Sequence, residues 1–155
     1  MRTFIEFRED KKTKLLEAEK GASKSLPDEK VWKKWRSLVN MDVKAISDYY
    51  NSEEGKTSGM KQKDADKIGI DTGRESAAML IKMIPIGTTF TKAEHNWTAS
   101  MWEWCRKQNS FISRMKGARK RIKGNPFEDE SGEKTRWLKS LLIWGHDPKK
   151  ELRKV

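Results

Sequence analysis

One cysteine, Cys105, and two histidines, His95 and His146, are the only thiol and imidazole groups in this chain of 155 residues. A single thiol rules out an internal disulfide and fits a reducing compartment. The same scarcity excludes a Cys/His structural zinc site built from one chain, so no metal and no cofactor is expected. Hydrophobic residues make up only 35%. The longest apolar run, Ala77–Ile81, falls far short of the roughly 20 residues that cross a bilayer, so no membrane partner is expected. The opening Met1–Asp10 lacks the apolar centre of about 7–15 residues that marks a secretory signal. Secretion by a signal peptide is therefore not expected.

What the chain does hold is tryptophan and positive charge. Seven Trp and five Phe, each burying roughly 150–250 Å², can build a compact interior in a sequence that is 37% charged. The length fits one domain, read here as 25–150, behind an N-terminal segment 1–24 and before a basic tail 151–155. Lys and Arg number 34 against 23 Asp and Glu, a net charge of +11. Eight of those eleven net charges lie between Cys105 and Lys123, a stretch with eight cations and no acid.

The periodicity is helical almost throughout, with no run of strands. Val31, Trp32, Trp35, Leu38 and Val39 form one apolar stripe behind the start signals Ser25 and Pro27-Asp28-Glu29. Asp42 caps a second helix through Val43, Ile46, Tyr49 and Tyr50. Asn51–Gly59 reads as a loop, and a short helix is expected over Lys61–Lys67. Asp71 or Thr72 starts a helix that Pro85 ends. Thr91-Lys-Ala-Glu94 has the form of a capping box. Thr98 caps the strongest helix, about 99–116, which Gly117 stops. Its Met101, Trp102, Cys105, Ile112 and Met115 face inward. Gly124–Gly132 is a loop or small hairpin, and a last helix, Lys134–Ile143, ends at Gly145. The fold class is mainly α, a compact bundle of about five to six helices with a basic helix-loop and flexible termini.

Few residues form a catalytic pattern. Gly55-Lys56-Thr57 matches the tail of a phosphate-binding loop, but the first glycine of that motif would fall at Tyr50 and no buried strand precedes it. Ser113-Arg-Met-Lys116 fits S-x-x-K without companion motifs. His146-Asp147 could pair a base with its orienting carboxylate, yet no nucleophile is tied to it. Its place between Gly145 and Pro148 suits a helix end, whose free amides and carbonyls need partners. The sequence reads as a non-enzyme.

The basic stretch points elsewhere. Arg106, Lys107, Arg114, Lys116, Arg119, Lys120, Arg121 and Lys123 read as one helix face and the loop leaving it. Cations at a helix C-terminus are favoured by its dipole, but eight without an acid exceed that need. Phosphate backbones reward such a patch through counterion release, with no sequence code required. Gly117 and Gly124 are expected to leave Ala118–Lys123 free to follow a phosphate path. Trp97, Trp102 and Trp104 lie close by. Burial is the default for Trp102, while Trp104 and Phe111 are the candidates for stacking on exposed bases. Duplex DNA held by its backbone is the first expectation, single strands the second.

Trp32-Lys-Lys-Trp35-x-x-Leu38-Val39-Asn40-Met41, Glu54-Gly55-Lys56, Gly73-Arg74-Glu75-Ser76 and Leu141-Leu142-x-Trp144-Gly145-His146-Asp147-Pro148 together resemble a family of small uncharacterised proteins from bacteria, fungi and phages. Some of these carry a generic DNA-binding label. The likeness covers about residues 31–150 and implies a shared helical core, with Asn40, Arg74, His146 and Asp147 as structural polar contacts. Separately, Met1-Arg-Thr-Phe-Ile-Glu-Phe7 resembles the leader of proteins packaged inside the prohead of contractile-tailed phages. That resemblance implies cleavage after Leu15-Leu16-Glu17, before Ala18.

The expectation is a phage-type basic helical protein that binds DNA phosphates without strong sequence specificity, carried in the virion head or present in the host cytoplasm. Neutralising six to eight phosphates would give a slope of log K against log salt of roughly −5 to −7. The alternative is a virion structural protein or an inhibitor of a host enzyme, meeting an acidic protein partner with the same face.

Overall fold

The computed structural model describes residues 26–57 and 72–152. The leader 1–24 with Leu15, Glu17 and Ala18, and the expected helix Lys61–Lys67, lie outside the described residues. So does 153–155, whereas Glu151 and Leu152 of the expected tail close the last helix. The protein is mainly helical, and among the described residues there is no strand, only an isolated bridge between Glu128 and Lys134.

The helices begin where short side chains can satisfy free amides. Helix α1, Glu29–Leu38, starts at Asp28, whose carboxylate accepts from the Lys30 and Val31 amides. Helix α2, Val43–Asn51, is capped by Asp42, which accepts from Ala45 N at 2.7 Å. A five-residue helix α3, Glu53–Thr57, follows where a loop was expected. Ser52 makes that restart possible, donating to Tyr49 O at 2.6 Å and accepting from Gly55 N at 3.0 Å. Helix α4, Gly73–Ile86, has a complete capping box between Thr72 and Glu75. It does not stop at Pro85, which lies in its final turn and is exposed. A proline there forfeits only one bond near the end, and burial of Met83 and Ile84 holds the turn.

Helix α5, Phe90–Asn96, is capped by Thr89 rather than Thr91. Phe90 has to join the helix because its ring meets Trp32 and Trp102. Helix α6, Ala99–Ala118, is the longest among the described residues at 20 residues and is capped by Thr98 as expected. It runs straight through Gly117 and tightens into a 3-10 turn over Arg119–Arg121. The left-handed residue comes later, at Gly124. Helix α7, Arg136–Ile143, is capped by Thr135. Helix α8, Pro148–Leu152, was not anticipated. Its signal is an Asp-Pro start, in which Pro148 supplies a helical φ and Asp147 accepts from Lys149 N at 3.0 Å.

The core is aromatic at one end and aliphatic at the other. Trp97 meets Trp35 and Trp102 edge to face, with ring centroids 4.9 and 4.8 Å away. Each such pair adds about 0.5–1.5 kcal/mol beyond area burial. Their indole N–H groups need acceptors: Trp97 Nε1 donates to Met83 O at 2.9 Å, and Trp35 Nε1 to Gln108 Oε1 at 2.8 Å. Leu80, Ile46, Val39, Leu138 and Leu141 fill the other end, where α2, α4 and α7 meet.

Candidate nucleic-acid interface

Helix α6 carries the interface on the side that its core contacts leave open. Trp102, Trp104, Cys105, Gln108, Asn109 and Ile112 are buried. At about 100° per residue, Arg106, Lys107 and Arg114 fall within roughly a third of the opposite circumference. Lys116 does not join them. It follows Cys105, Asn109 and Ile112 at helical spacing, in line with the buried stripe but past the core, and is half-buried. The eight cations therefore do not share one face. Glu103 stands three and four residues before Arg106 and Lys107, so an acid borders the N-terminal end of the patch.

The cations differ in what engages them. Arg106 Nη2 donates to Leu26 O at 3.2 Å, and the Lys107 ammonium lies 4.7 Å from the centre of the Trp104 ring. Arg114, Arg119, Lys120, Arg121 and Lys123 are exposed and have no ion pair among the described residues. Arg119 also lies over Phe127, 5.3 Å from its ring centre, which leaves its charge unneutralised. Ala118–Lys123 is not the free strip expected, since Arg119–Arg121 are wound into the 3-10 turn. That turn splays three successive cations about the helix end.

The two stacking candidates are corrected by packing. Trp104 is buried, and its ring lies tilted against Trp144 at 6.4 Å. Phe111 is half-buried and stacks on Trp144, with centroids 4.1 Å apart and planes at 15°. Both project toward the C-terminal end of α7, where Trp144 takes one face of Phe111 and helps cover Trp104, whose ring also lies under the Lys107 ammonium. Cys105 sits at 0% exposure, and burial pushes its thiol far above the ordinary range against a smaller pull from Arg106.

The other patterned residues hold helix ends. His146 is fully buried with Nδ1 2.6 Å from Leu38 O. Asn40 Nδ2 donates to Asp147 O at 3.0 Å and Asn40 Oδ1 accepts from Asp147 N at 2.7 Å, a two-way clasp. Arg74 Nη1 donates to Tyr50 O and Gly55 O, and its guanidinium covers the Tyr50 ring at 3.9 Å. Gly55, the glycine of the phosphate-loop look-alike, is there for close approach, because a Cβ would stand 1.7 Å from Tyr49 O. Ser113 and Lys116 sit on α6, both half-buried.

Beside the tract, the 128–133 loop carries Glu128, Asp129, Glu130 and Glu133. The Ser131 hydroxyl, with the Glu133 and Ser131 amides, holds the exposed Asp129 carboxyl below its ordinary range. An open cleft of about 630 Å³ is lined there by Glu53, Glu54, Glu128 and Glu133 against Lys134, Lys139 and Lys149. Lys134 Nζ pairs with Glu54 at 3.0 Å, and so mixed a lining favours no single charged ligand. No cluster of metal-ligating side chains occurs among the described residues, and no described helix is long and apolar enough to cross a membrane.

No curated protein and no solved structure matches the chain. Residues 34–142 match a family described as "Protein of unknown function (DUF3140)". That span takes in α2 to α6, the second half of α1, most of α7, and the whole basic tract. The chain belongs to the DUF3140 family.

Proposed function

We propose that this protein is a non-enzymatic, basic helical protein that binds duplex DNA through its phosphates without strong sequence preference. One observation carries the reading: Arg114, Arg119, Lys120, Arg121 and Lys123 are exposed at the C-terminal end of α6 with no ion pair among the described residues. Such cations gain little from the fold and much from releasing the counterions of a polyphosphate. Single-strand binding commonly uses open aromatic platforms. Here Trp104 is buried and Trp144 covers Phe111, which supports duplex over single strand.

The test is fluorescence anisotropy with a labelled random duplex and a labelled single strand at several salt concentrations. With five phosphates neutralised, log K should fall against log salt with a slope of about −4 to −5. Replacing Arg119, Lys120, Arg121 and Lys123 by Ala should remove most of that slope. A salt-independent affinity, or a variant that binds like the parent, would overturn the proposal. A defined stoichiometric complex with an acidic protein and no DNA binding at low salt would assign the tract to that partner instead.

A further inference from the structure

Counted over residues 1–30 and 31–59, cations and acids nearly balance, which hides that α1 itself carries Lys30, Lys33, Lys34 and Arg36 against Glu29. Helix α1 lies against α6: Asn109 Nδ2 donates to Val31 O at 3.1 Å, Arg106 reaches Leu26 O, and Trp35 meets Gln108. The opposite flank of α1 is occupied by Trp32, whose Nε1 donates to Gly87 O at 3.0 Å and whose ring faces Phe90. At about 100° per residue, Lys30 and Lys34 fall on the side of Val31 away from Trp32. That flank borders the open side of α6, where Arg106 and Arg114 project. Both lysines are exposed, one turn apart, and without an ion pair among the described residues. Glu29, the acid within α1, pairs with Lys33 at 3.2 Å.

We propose that Lys30 and Lys34 form a second row of phosphate contacts, so that α1 and α6 grip the two strands of one duplex. The inference rests on the proposed DNA binding and adds its geometry. Packed helices lie about 8–10 Å apart. Two cation rows at that spacing can meet the phosphates on either side of a minor groove about 6 Å wide. A single strand offers one backbone and needs one row.

The experiment compares Lys30→Ala/Lys34→Ala, the Arg119, Lys120, Arg121 and Lys123 alanine variant, and Lys44→Ala/Lys92→Ala, which removes two exposed charges elsewhere. Each is titrated with a duplex and with one of its strands, after circular dichroism confirms unchanged helix content. Lys30→Ala/Lys34→Ala should flatten the duplex slope by about 2 and weaken duplex binding by about 10- to 60-fold at 0.1 M salt. Single-strand binding should change less than about two-fold, and the Lys44/Lys92 control should leave both unchanged. An unaltered duplex slope would overturn the second row while the tract variant still upholds DNA binding. Equal losses on duplex and single strand would overturn the two-strand grip. A tract variant with no effect would overturn the DNA-binding proposal itself.

Discussion

Gln108 is a polar amide at 0% exposure in the middle of the core, and replacing it tests how that core is held. Its Oε1 accepts from Trp35 Nε1 at 2.8 Å, and its Nε2 donates to Ser76 Oγ at 3.2 Å, tying α1 and α4 to α6. Gln108→Leu keeps similar volume, so the cavity contribution is small. It strands the indole N–H of Trp35, itself at 0% exposure, at a cost of about 1–3 kcal/mol for a buried unsatisfied donor. The Ser76 hydroxyl loses a donor but can still give its own proton to a backbone carbonyl one turn back, so its share is small. The expected loss is about 2 kcal/mol, a fall in Tm of about 4–8 °C for a chain of this size. Trp35→Phe removes the stranded donor. The double variant should therefore be more stable than the sum of the two single losses, with a coupling of about 1–2 kcal/mol. Urea unfolding followed by far-ultraviolet circular dichroism measures all four corners of the cycle. Additive losses, within about 0.5 kcal/mol, would show that the pair contributes no specific interaction and would refute the reasoning.

Two further outcomes follow from positions the fold leaves no room to change. Gly145→Ala should destabilise by about 2–3 kcal/mol, since φ of +87° is left-handed and the new Cβ would stand 2.7 Å from Leu80 Cδ1; a denaturation midpoint equal to the parent's would contradict this. Cys105 should resist a thiol reagent such as Ellman's in the native protein and react fully in denaturant, because burial keeps it protonated and covered. Prompt native-state reaction would mean that α6 opens readily around it.

The caps that could be read from sequence were those whose chemistry is local. Asp28, Asp42 and Thr98 each sit directly before an apolar stripe, and the structure uses each one. The ends that could not be read depend on residues far away. Thr91 matched a capping-box pattern better than Thr89, but Phe90 must be helical to meet Trp32 and Trp102. Helix α3 restarts on the local Ser52 hydroxyl but also takes a bond from far away, since Arg74, nineteen residues beyond Gly55, donates to the Gly55 carbonyl. Gly117 was a plausible stop by residue type, yet it has no neighbour within 4 Å of a Cβ and no positive φ, so nothing there requires glycine. Trp104 likewise depends on a distant residue. Its place beside the stripe reads as exposed until Trp144 arrives from α7 to cover it.

The same distinction separates what holds this fold from what the protein does with it. Asn40 and Arg74, inside the family match, and Gly145, His146 and Asp147, just past its end, are joined to backbone atoms of other segments or wedged between buried side chains. Each satisfies groups at a helix end that would otherwise be buried without partners. The exposed cations, by contrast, satisfy nothing in the fold that water could not. Changes in the two sets should therefore have separable effects. Asn40→Ala removes the acceptor for Asp147 N and the donor to Asp147 O, and should lower Tm while leaving the salt slope of any surviving DNA binding intact. Arg121→Ala should do the reverse, flattening the slope by about 0.9 with stability within about 0.5 kcal/mol of the parent, as for most surface substitutions. If both variants moved both quantities together, the division between scaffold and phosphate-binding surface would be wrong.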